Sequence, residues 1–218
     1  MAHVAITGAN RGIGLALARA HAAAGWRVTA LARAAMPAEA GIDAMAADVT
    51  DAASLRGVAA IAGPLDRLIC NAGVYPDRAA RGIEGMDPDG WAEAFAVNVT
   101  GVALTVEAFL PGLRAAGGQV AVIGSVMGST ARSPGGSYAY RASKAAALNL
   151  GRNLATDLAG DGIAVGIYHP GWVRTDMGGD GADIDVAASV AGLMARFAAL
   201  GPESSGCFEG WDGQAIPF

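Results

Sequence analysis

Tyr140 and Lys144 are the side chains of this sequence whose types and spacing best suit proton transfer. They lie four residues apart, and Lys144 is the only lysine among 15 basic residues, the rest being arginine. Residues at that spacing share one face of a helix, so the phenol and the ammonium can meet. Lysine offers a compact, rotatable point charge where arginine offers a planar fork. A pair of this kind also arises by chance in ordinary helices, so the remaining motifs decide its meaning.

A glycine-rich turn directly follows the first predicted strand and opens the first predicted helix. Glycines there let the backbone turn tightly and let a pyrophosphate approach the N-terminus of the helix. The turn is not a P-loop, because no Gly-Lys-Ser/Thr sequence follows it. Tight packing of the strand against the helix is the alternative explanation for the glycines. The residues predicted to bind a dinucleotide here are Gly8, Asn10, Arg11, Gly12, Ile13 and Gly14.

The end of the second predicted strand indicates which dinucleotide is bound. A carboxylate at that point would bind the ribose 2′-hydroxyl of NAD, whereas an arginine accommodates the 2′-phosphate of NADP. Residues 31–35 contain Arg33 and no acid, and Arg11 in the glycine-rich turn adds a second cation. NADP(H) is therefore the predicted cofactor and NAD(H) the alternative, unless both arginines are simply solvated. Asp48 and Val49, after the third strand, are predicted to hold the adenine, although Asp48 is equally suited to cap the next helix.

Several polar positions follow strands or interrupt a helix where a ligand would lie. Asn71, Ala72 and Gly73 end the fourth predicted strand, where they either pass beneath a cofactor or brace the sheet. Asn98 lies inside a long helical stretch, where asparagine has poor propensity, so it either satisfies the core or breaks the helix to hold a water. Ser125 follows the fifth strand at the carboxyl edge, where α/β sheets bind ligands. Three further serines follow shortly after it and compete for the same role.

Short apolar runs alternate with longer Ala- and Leu-rich amphipathic stretches along the chain. Non-alternating strands separated by helices indicate a parallel sheet with helices on both faces. The predicted strands are Val4–Thr7, Arg27–Ala32, Asp43–Ala47, Leu65–Cys70, Gln119–Gly124, Ala164–Tyr168 and a weak one near Cys207. The predicted helices are Gly12–Ala24, Ala52–Ile61, Gly90–Arg114, Ser137–Leu158 and Val186–Leu200. The fold class predicted for residues 1–218 is a single α/β domain of the Rossmann type, with a doubly wound, mostly parallel seven-stranded sheet flanked by helices.

Composition argues against several classes of function. A net charge of −5 and a pI near 5.1 give no indication of a basic surface that would bind nucleic acid or an anionic membrane. No apolar run is expected to approach the ~18 residues of a membrane span, and the first strand reaches Gly8 too soon for a signal peptide. The two cysteines lack zinc or CxxC spacing and the three histidines form no cluster, so no metal site is predicted. A cytoplasmic protein with free thiols is expected.

The motifs, in the order in which they occur, closely resemble the short-chain dehydrogenase/reductase family across nearly the whole chain. They are the turn at residues 7–14, residues 71–73, Asn98, Ser125, the Tyr140–Lys144 pair and Pro170-Gly171. The stretches 127–129, 137–144 and 169–177 further resemble the subgroup that contains C-factor and Sniffer-type carbonyl reductases.

The resemblance implies roles for particular residues. Ser125, Tyr140 and Lys144 would form the catalytic triad, with Asn98 as a fourth member that anchors a proton-relay water. Ser125 would hold the substrate oxygen and Tyr140 would donate a proton to it. Lys144 would bind the nicotinamide ribose, and as a nearby cation it would lower the pKa of the phenol. The residues expected to embrace the nicotinamide are Pro170, Gly171, Val173 and Thr175.

Two departures from the family pattern concern the substrate side of the site. The gap between Ser125 and Tyr140 is longer than usual, so a loop through residues 130–136 is expected beside the site. The segment after Thr175 is short and glycine-rich where many relatives carry a helical lid. The cleft is therefore expected to be open and permissive.

The expected function is hydride transfer between NADP(H) and a small carbonyl or alcohol substrate, with Tyr140 as the acid and base. The alternative is an NADP(H)-binding signalling or sensor protein of the C-factor type with little turnover. The intact set of Ser125, Tyr140 and Lys144 argues against it, because a pure sensor has no need of an acid. Low charge and the long apolar stretch Trp91–Leu113 predict self-association as a homodimer or homotetramer.

Overall fold

The computed structural model describes residues 1–218 except 35, 37, 79–81, 83 and 85. Ala35, the last residue of the run around Arg33, therefore lies outside the described residues. The strands are β1 (His3–Thr7), β2 (Arg27–Ala32), β3 (Ile42–Ala46), β4 (Arg67–Cys70), β5 (Gln119–Ile123), β6 (Ala164–His169) and β7 (Phe208–Gly210). The helices are α1 (Gly12–Ala23), α2 (Ala52–Ala62), α3 (Pro88–Phe95), α4 (Gly101–Ala116), α5 (Tyr138–Asp157) and α6 (Val186–Ala199).

The strands form one sheet in the order β3-β2-β1-β4-β5-β6-β7, and every pairing between neighbours is parallel. Strands β1, β2 and β4–β6 are buried almost throughout, as expected for strands covered on both faces. Helices α1 and α6 pack on one face of the sheet, and α2, α4 and α5 contribute to the core on the other. The α/β fold predicted from the sequence is confirmed, including the weak seventh strand.

One predicted helix is interrupted in the structure by a π-helical turn. The run expected over Gly90–Arg114 is α3 followed by α4, with a π-helical turn over Ala96–Thr100 between them. In that turn the Gly101 amide donates to the Ala96 carbonyl, five residues back instead of four. A π-helical turn inserts one residue into a helix and is frequent at functional sites. Here it carries Asn98, the residue whose poor helix propensity marked this position.

The combined segment Pro88–Ala116 spans 29 residues and, by length and composition alone, is apolar enough to cross a membrane. This corrects the expectation that no apolar run would approach that length. Nearly half of its most apolar window, 44%, is buried inside the molecule. Val102, Val106 and Phe109 of this segment lie in the hydrophobic core beneath the sheet, so the apolar face packs against the protein itself.

The strand order reverses direction at β1, which has β2 on one side and β4 on the other. In open α/β sheets, ligands bind outside the carboxyl ends of the strands at such a reversal. The register places Thr7 opposite Leu31 and Ile6 opposite Ile69, so β1, β2 and β4 end at nearly the same level. The loops that leave these strands therefore meet at one edge of the sheet.

Candidate active site

Tyr140 and Lys144 lie beside each other on the buried face of α5. Tyr140 is 8% exposed and Lys144 is 5% exposed. The Lys144 Nζ atom is 5.8 Å from the centroid of the Tyr140 ring, and it donates a hydrogen bond of 3.0 Å to the Ile123 carbonyl at the end of β5. One helical turn thus brings an acid and a cation to the carboxyl edge of the sheet.

Burial dominates the titration of both groups. It raises the pKa of Tyr140 to about 12, although a hydrogen bond with Ser125 acts in the opposite direction. Burial also lowers the pKa of Lys144 to about 8. The expected lowering of the phenol pKa by Lys144 is not seen in this structure, where desolvation dominates the pKa of Tyr140 and Ser125, not Lys144, is the group that opposes the rise. Tyr140 is consequently protonated at neutral pH and available as an acid.

Ser125 lies at the start of a short 3₁₀ turn, Val126–Gly128, that follows β5. It is 6% exposed, and its Oγ atom accepts a hydrogen bond of 3.2 Å from the Met127 amide. The turn contacts α5 closely, since a Cβ atom on Gly128 would lie 2.7 Å from the Lys144 carbonyl carbon. A glycine at this position therefore lets the loop that carries Ser125 reach the helix that carries Tyr140.

The Asn98 side chain is engaged by protein atoms. Its Oδ1 accepts from the Val74 amide at 2.9 Å, and its Nδ2 donates to the Val74 carbonyl and the Ser143 Oγ, both at 3.0 Å. Asn98 is 1% exposed. Of the two roles left open by the sequence, the side chain fulfils the first, a satisfied polar group in the core. It ties the loop after β4 to α5, and its part in holding a relay water stays a prediction.

Asn71 likewise braces the sheet. Its backbone amide donates to the Thr7 Oγ1 at 3.0 Å, and its Nδ2 donates to the carbonyls of Thr7 and Gly8 at 3.0 and 3.2 Å. These bonds join the loop after β4 to the glycine-rich turn after β1. The asparagine side chain therefore braces the sheet, and Asn71, Ala72 and Gly73 all line the cavity described next.

A cavity of about 490 Å³ runs along the carboxyl edge of the sheet. Predicted residues that line it are Gly8, Asn10, Arg11, Gly12, Ile13, Gly14, Arg33, Asp48, Val49, Asn71, Ala72, Gly73, Tyr140, Lys144, Pro170 and Thr175. Ser125, Asn98, Gly171 and Val173 are predicted site residues that do not line it. Lining residues that were not predicted to belong to the site are Ala32, Ala34, Ala47, Val74, Val97, Ile123, Gly124, Arg174, Asp176, Met177 and Val186. Ala32, Ala34, Ala47, Ile123 and Gly124 end or closely follow strands, a signal that was present in the sequence.

The cations and the acid at the far end of the cavity have protein partners. Arg11 forms an ion pair of 3.0 Å with Asp176, and both side chains are largely exposed. Asp48 accepts hydrogen bonds from the amide and hydroxyl of Thr50, which are the main cause of its lowered pKa; the charge of Arg33 contributes less. Asp48 does not cap α2, because Asp51 does so.

Tyr75 is a neighbour of the acid that sequence reasoning missed. Its ring stacks on the Tyr140 ring with centroids 4.0 Å apart and an interplanar angle of 20°. Its hydroxyl shares a hydrogen bond of 2.6 Å with the Ser137 Oγ. Tyr75 lies 65 residues before Tyr140 in the chain, so no local pattern connects the two.

The arrangement fits a long, anionic dinucleotide. Helix α1 begins beside the cavity with no side-chain cap from Arg11, so the described residues leave its first amide groups for a ligand. A Cβ atom on Gly14 would overlap the Gly8 carbonyl oxygen, and Gly8 and Gly12 have positive φ angles of 65° and 53°. Glycines are therefore required for this tight turn. The opposite end of the cavity holds Tyr140 and Lys144.

A glycine-rich turn at one end of a cavity and a buried acid–cation pair at the other define an α/β enzyme of the dinucleotide-binding class. A family model described as short chain dehydrogenase matches residues 2–183. The C-signal protein of Myxococcus xanthus is 42% identical over 158 residues, which cover 72% of this chain and 94% of that protein. The chain therefore belongs to the short-chain dehydrogenase family, an NAD(P)-dependent oxidoreductase family.

Solved structures agree with this assignment. The NADPH-bound carbonyl reductase from chicken fatty liver superposes with a TM-score of 0.89 at 30% identity, covering 99% of this chain and 98% of that chain. The carbonyl reductase Sniffer of Drosophila melanogaster gives a TM-score of 0.94 at 26% identity, covering 100% of both chains. The resemblance to a family with carbonyl-reductase-like members is thus confirmed.

Proposed function

We propose that this protein is an NADP(H)-dependent carbonyl reductase, or in reverse an alcohol dehydrogenase, with Tyr140 as its acid and base. The observation that carries the proposal is the burial of Tyr140 beside Lys144 at the end of a cavity that begins at the glycine-rich turn. NADP(H), when bound, supplies or accepts the hydride. Tyr140 transfers the proton at the substrate oxygen, and its raised pKa keeps that proton in place at neutral pH.

Ser125 and Lys144 would support the proton transfer. Ser125 acts against the rise in the pKa of Tyr140, which indicates that the two hydroxyls are close, and it would hold the substrate oxygen beside Tyr140. Lys144 has bonding capacity toward the cavity, because an ammonium has three donors and the described residues supply the Ile123 carbonyl as its one acceptor. That remaining capacity suits the ribose hydroxyls of the nicotinamide nucleoside.

The preference for NADP(H) rests on Arg33 and Arg11, which line the cavity near the ends of β1 and β2. A 2′-phosphate would compete with Asp176 for Arg11. Since both members of that ion pair are exposed, at 70% and 78%, the pair is weak and can exchange partners. NADPH-bound carbonyl reductase from chicken, with its closely similar structure, supports the same choice. NAD(H) remains the alternative cofactor.

The proposed substrate is a small carbonyl compound with an apolar substituent. Trp172 and Met177, in the segment after β6, are among the most exposed large apolar side chains of the described residues, at 52% and 39%. Met177 lines the cavity. The segment is shaped by bonds from the Trp172 indole and the Arg78 guanidinium to backbone carbonyls of residues 176 and 178. An apolar rim of this kind favours aromatic or aliphatic aldehydes and ketones.

A signalling role is the second candidate, and the 42% identity to C-signal favours it. Under this candidate the protein would bind NADP(H) with little turnover. The two candidates predict the same fold and the same cofactor site, and they differ in the need for an acid beside the cavity.

We further propose a cytoplasmic homodimer or homotetramer that acts on small molecules, with no nucleic-acid or membrane partner. Cys70 and Cys207 are free thiols, which suits a reducing compartment. The predicted self-association face is Trp91–Leu113, at the start of which Trp91 and Phe95 stack and are half-buried. Sedimentation at micromolar concentration should show a dimer or a larger species, and a pure monomer would contradict this part of the proposal.

A turnover assay tests the main proposal. Purified protein should oxidise NADPH in the presence of aromatic aldehydes such as para-nitrobenzaldehyde, aliphatic aldehydes and cyclic ketones, and should use NADH less well. Binding of NADPH without turnover of any member of this panel would favour the signalling candidate. Failure to bind either nucleotide would contradict both.

A further inference from the structure

Three of the six helices in the described part of the chain, α2, α3 and α6, are capped by an aspartate from their own sequence. Asp51 accepts from the amides of residues 53 and 54 at the start of α2. Asp87 and Asp185 cap α3 and α6 in the same local way. A capping side chain satisfies amide groups that have no partner within the helix. This chain therefore has a regular local means of starting a helix.

Helix α5, which carries Tyr140, begins differently. Its preceding residue, Ser137, has the left-handed backbone conformation, with φ at 49°, and makes no side-chain cap. It is the one residue other than glycine with positive φ in the described part of the chain. The cap comes instead from Asp77, whose carboxylate accepts from the Ala139 amide at 2.8 Å and from the Tyr140 amide at 3.2 Å. The capped group is thus the backbone of the acid itself.

The segment that carries Asp77 is anchored at the edge of β4. Val74 is bonded through both its amide and its carbonyl to the Asn98 side chain. Tyr75 stacks on Tyr140 and shares a hydrogen bond with Ser137. Gly73, one residue earlier, lines the cavity, and a Cβ atom there would lie 3.6 Å from the Lys144 Nζ. Asp77 therefore connects the start of α5 to the strand end that forms the cofactor cavity.

We propose that Asp77 is a positioning residue for Tyr140, which fixes the first turn of α5 relative to the cofactor edge of the sheet. This inference rests on the proposed function, because it assumes that Tyr140 is the acid. If a residue directly before α5 capped the helix, the cap would fix α5 only to the long loop that precedes it. A cap from the β4 edge ties it to the cavity, and small errors in the placement of a reacting group cost large factors in rate.

The test compares Asp77→Ala with Asp51→Ala. Asp51 is a matched control, because it accepts from two helix-start amides at 2.9 and 3.2 Å but caps a helix without Tyr140. Both variants should lower Tm by ~2–4 °C. Asp77→Ala should lower kcat for para-nitrobenzaldehyde reduction at least about tenfold, with the Kd for NADPH changed less than about twofold. Asp51→Ala should leave kcat within about twofold. Equal loss of kcat in the two variants would overturn the proposal.

Asp77→Asn separates capping from charge. Its amide oxygen still accepts a helix-start amide, so it should recover most of the kcat lost in the alanine variant. An asparagine variant as slow as the alanine variant would contradict capping as the mechanism.

Hydrogen exchange tests the inference without turnover. The amides of Ala139 and Tyr140 should exchange faster in Asp77→Ala and should be unchanged in Asp51→Ala. If the unmodified protein reduces no carbonyl, the proposed function fails, while this exchange result still decides whether Asp77 holds the start of α5. Unchanged exchange in Asp77→Ala would overturn the inference even in an active enzyme.

Discussion

Two buried cations lie at opposite edges of the same sheet, and they differ in how fully the protein uses them. Arg67 opens β4 at the amino edge and is 7% exposed, while Lys144 faces the carboxyl edge and is 5% exposed. Neither forms an ion pair within the part of the chain that the structure describes. Burial lowers the pKa of both. Equal burial therefore does not distinguish a structural charge from a functional one.

The guanidinium of Arg67 is surrounded by partners from three elements and by Trp26, which directly precedes β2. It donates to the Gln119 Oε1 at 3.2 Å, to the Phe197 carbonyl at 3.1 Å and to the His21 Nε2 at 3.2 Å. It also lies over the Trp26 ring, 4.7 Å from the centroid. A buried polar group is tolerated when its bonding capacity is filled in this way. Arg67 thus joins α1, β5 and α6 and has no capacity aimed at a ligand.

The ammonium of Lys144, by contrast, has hydrogen-bonding capacity that the described residues do not fill. Its described hydrogen-bond acceptor is the Ile123 carbonyl, and it lines the cavity. Keeping a buried charge without a carboxylate costs stability, and this cost is understandable where a ligand completes the bonding. Unfilled bonding capacity next to a cavity, and not burial alone, is what supports the proposal that Lys144 is the functional cation.

The largest effect is expected from Tyr140→Phe, which removes the proposed acid beside Lys144. Carbonyl reduction should fall at least about a hundredfold, the lower end of what general acid catalysis contributes. The Kd for NADPH and the Tm should stay nearly unchanged, because the ring and its stack on Tyr75 remain. Steady-state kinetics and nucleotide binding measure this. Retention of more than about a tenth of the activity, a barrier change under ~1.4 kcal/mol, would refute the assignment.

Replacing each cation by methionine tests the comparison directly. Arg67→Met should lower the free energy of unfolding by about 3 kcal/mol, because acceptors on Gln119, Phe197 and His21 lose their donor, and should leave kcat within about twofold. Lys144→Met should maintain or raise stability, since a desolvated charge is removed, yet weaken both NADPH binding and kcat. Urea unfolding and kinetics of the two variants give the readout. Similar losses in the free energy of unfolding for both variants would show that Arg67 and Lys144 both serve mainly to stabilise the fold.

The Arg67 cluster also predicts a pH dependence of stability. His21 accepts from Arg67 and donates from Nδ1 to the Leu17 carbonyl, so its neutral form is required, and burial lowers its pKa from 6.5 to about 4. A lowered histidine pKa means that the unfolded chain binds the proton more readily. The contribution of His21 to the free energy of unfolding is therefore fully present above pH 6.5. It is lost as the pH falls toward 4, and the loss amounts to roughly 3 kcal/mol.

His21→Gln, which removes the titrating group and keeps an acceptor for Arg67, is the control for this pH dependence. His169, whose pKa burial also lowers to about 4, remains in both proteins and contributes equally. The difference between the two urea-denaturation profiles over pH 4–7 isolates His21. Parallel profiles would show that His21 does not carry the acid sensitivity.

The smallest predicted effect concerns the exposed cations at the far end of the cavity. One charge-assisted hydrogen bond to a 2′-phosphate contributes roughly 1.5–3 kcal/mol, so NADPH should be preferred over NADH about tenfold to a hundredfold. Arg33→Ala should raise KM for NADPH and leave that for NADH almost unchanged. Arg56→Ala, an exposed arginine outside the cavity, should change neither. Added salt should weaken the preference, and equal use of both cofactors by the unmodified protein would contradict it.

The sequence was sufficient wherever the relevant spacing is local. The order of strands and helices follows from runs of apolar residues a few positions long, and the structure differs mainly by a residue or two at element ends. The pairing of Tyr140 with Lys144 follows from the helical repeat. Lys144 was recognisable because it is the only lysine, although nothing local showed that Arg67 is buried equally deeply.

The tertiary structure decided what depends on groups far apart in the chain. Asp77 lies 62 residues from the Ala139 amide that it caps, and no periodicity records such a contact. The Asn98 side chain is bonded to Val74 and Ser143 because a π-helical turn aims it there. The direction of the Tyr140 pKa shift depended on desolvation by the whole fold, which the helical spacing to Lys144 does not reveal. Local repeats thus determined which residues share a face, and long-range packing determined how those residues are held and how they titrate.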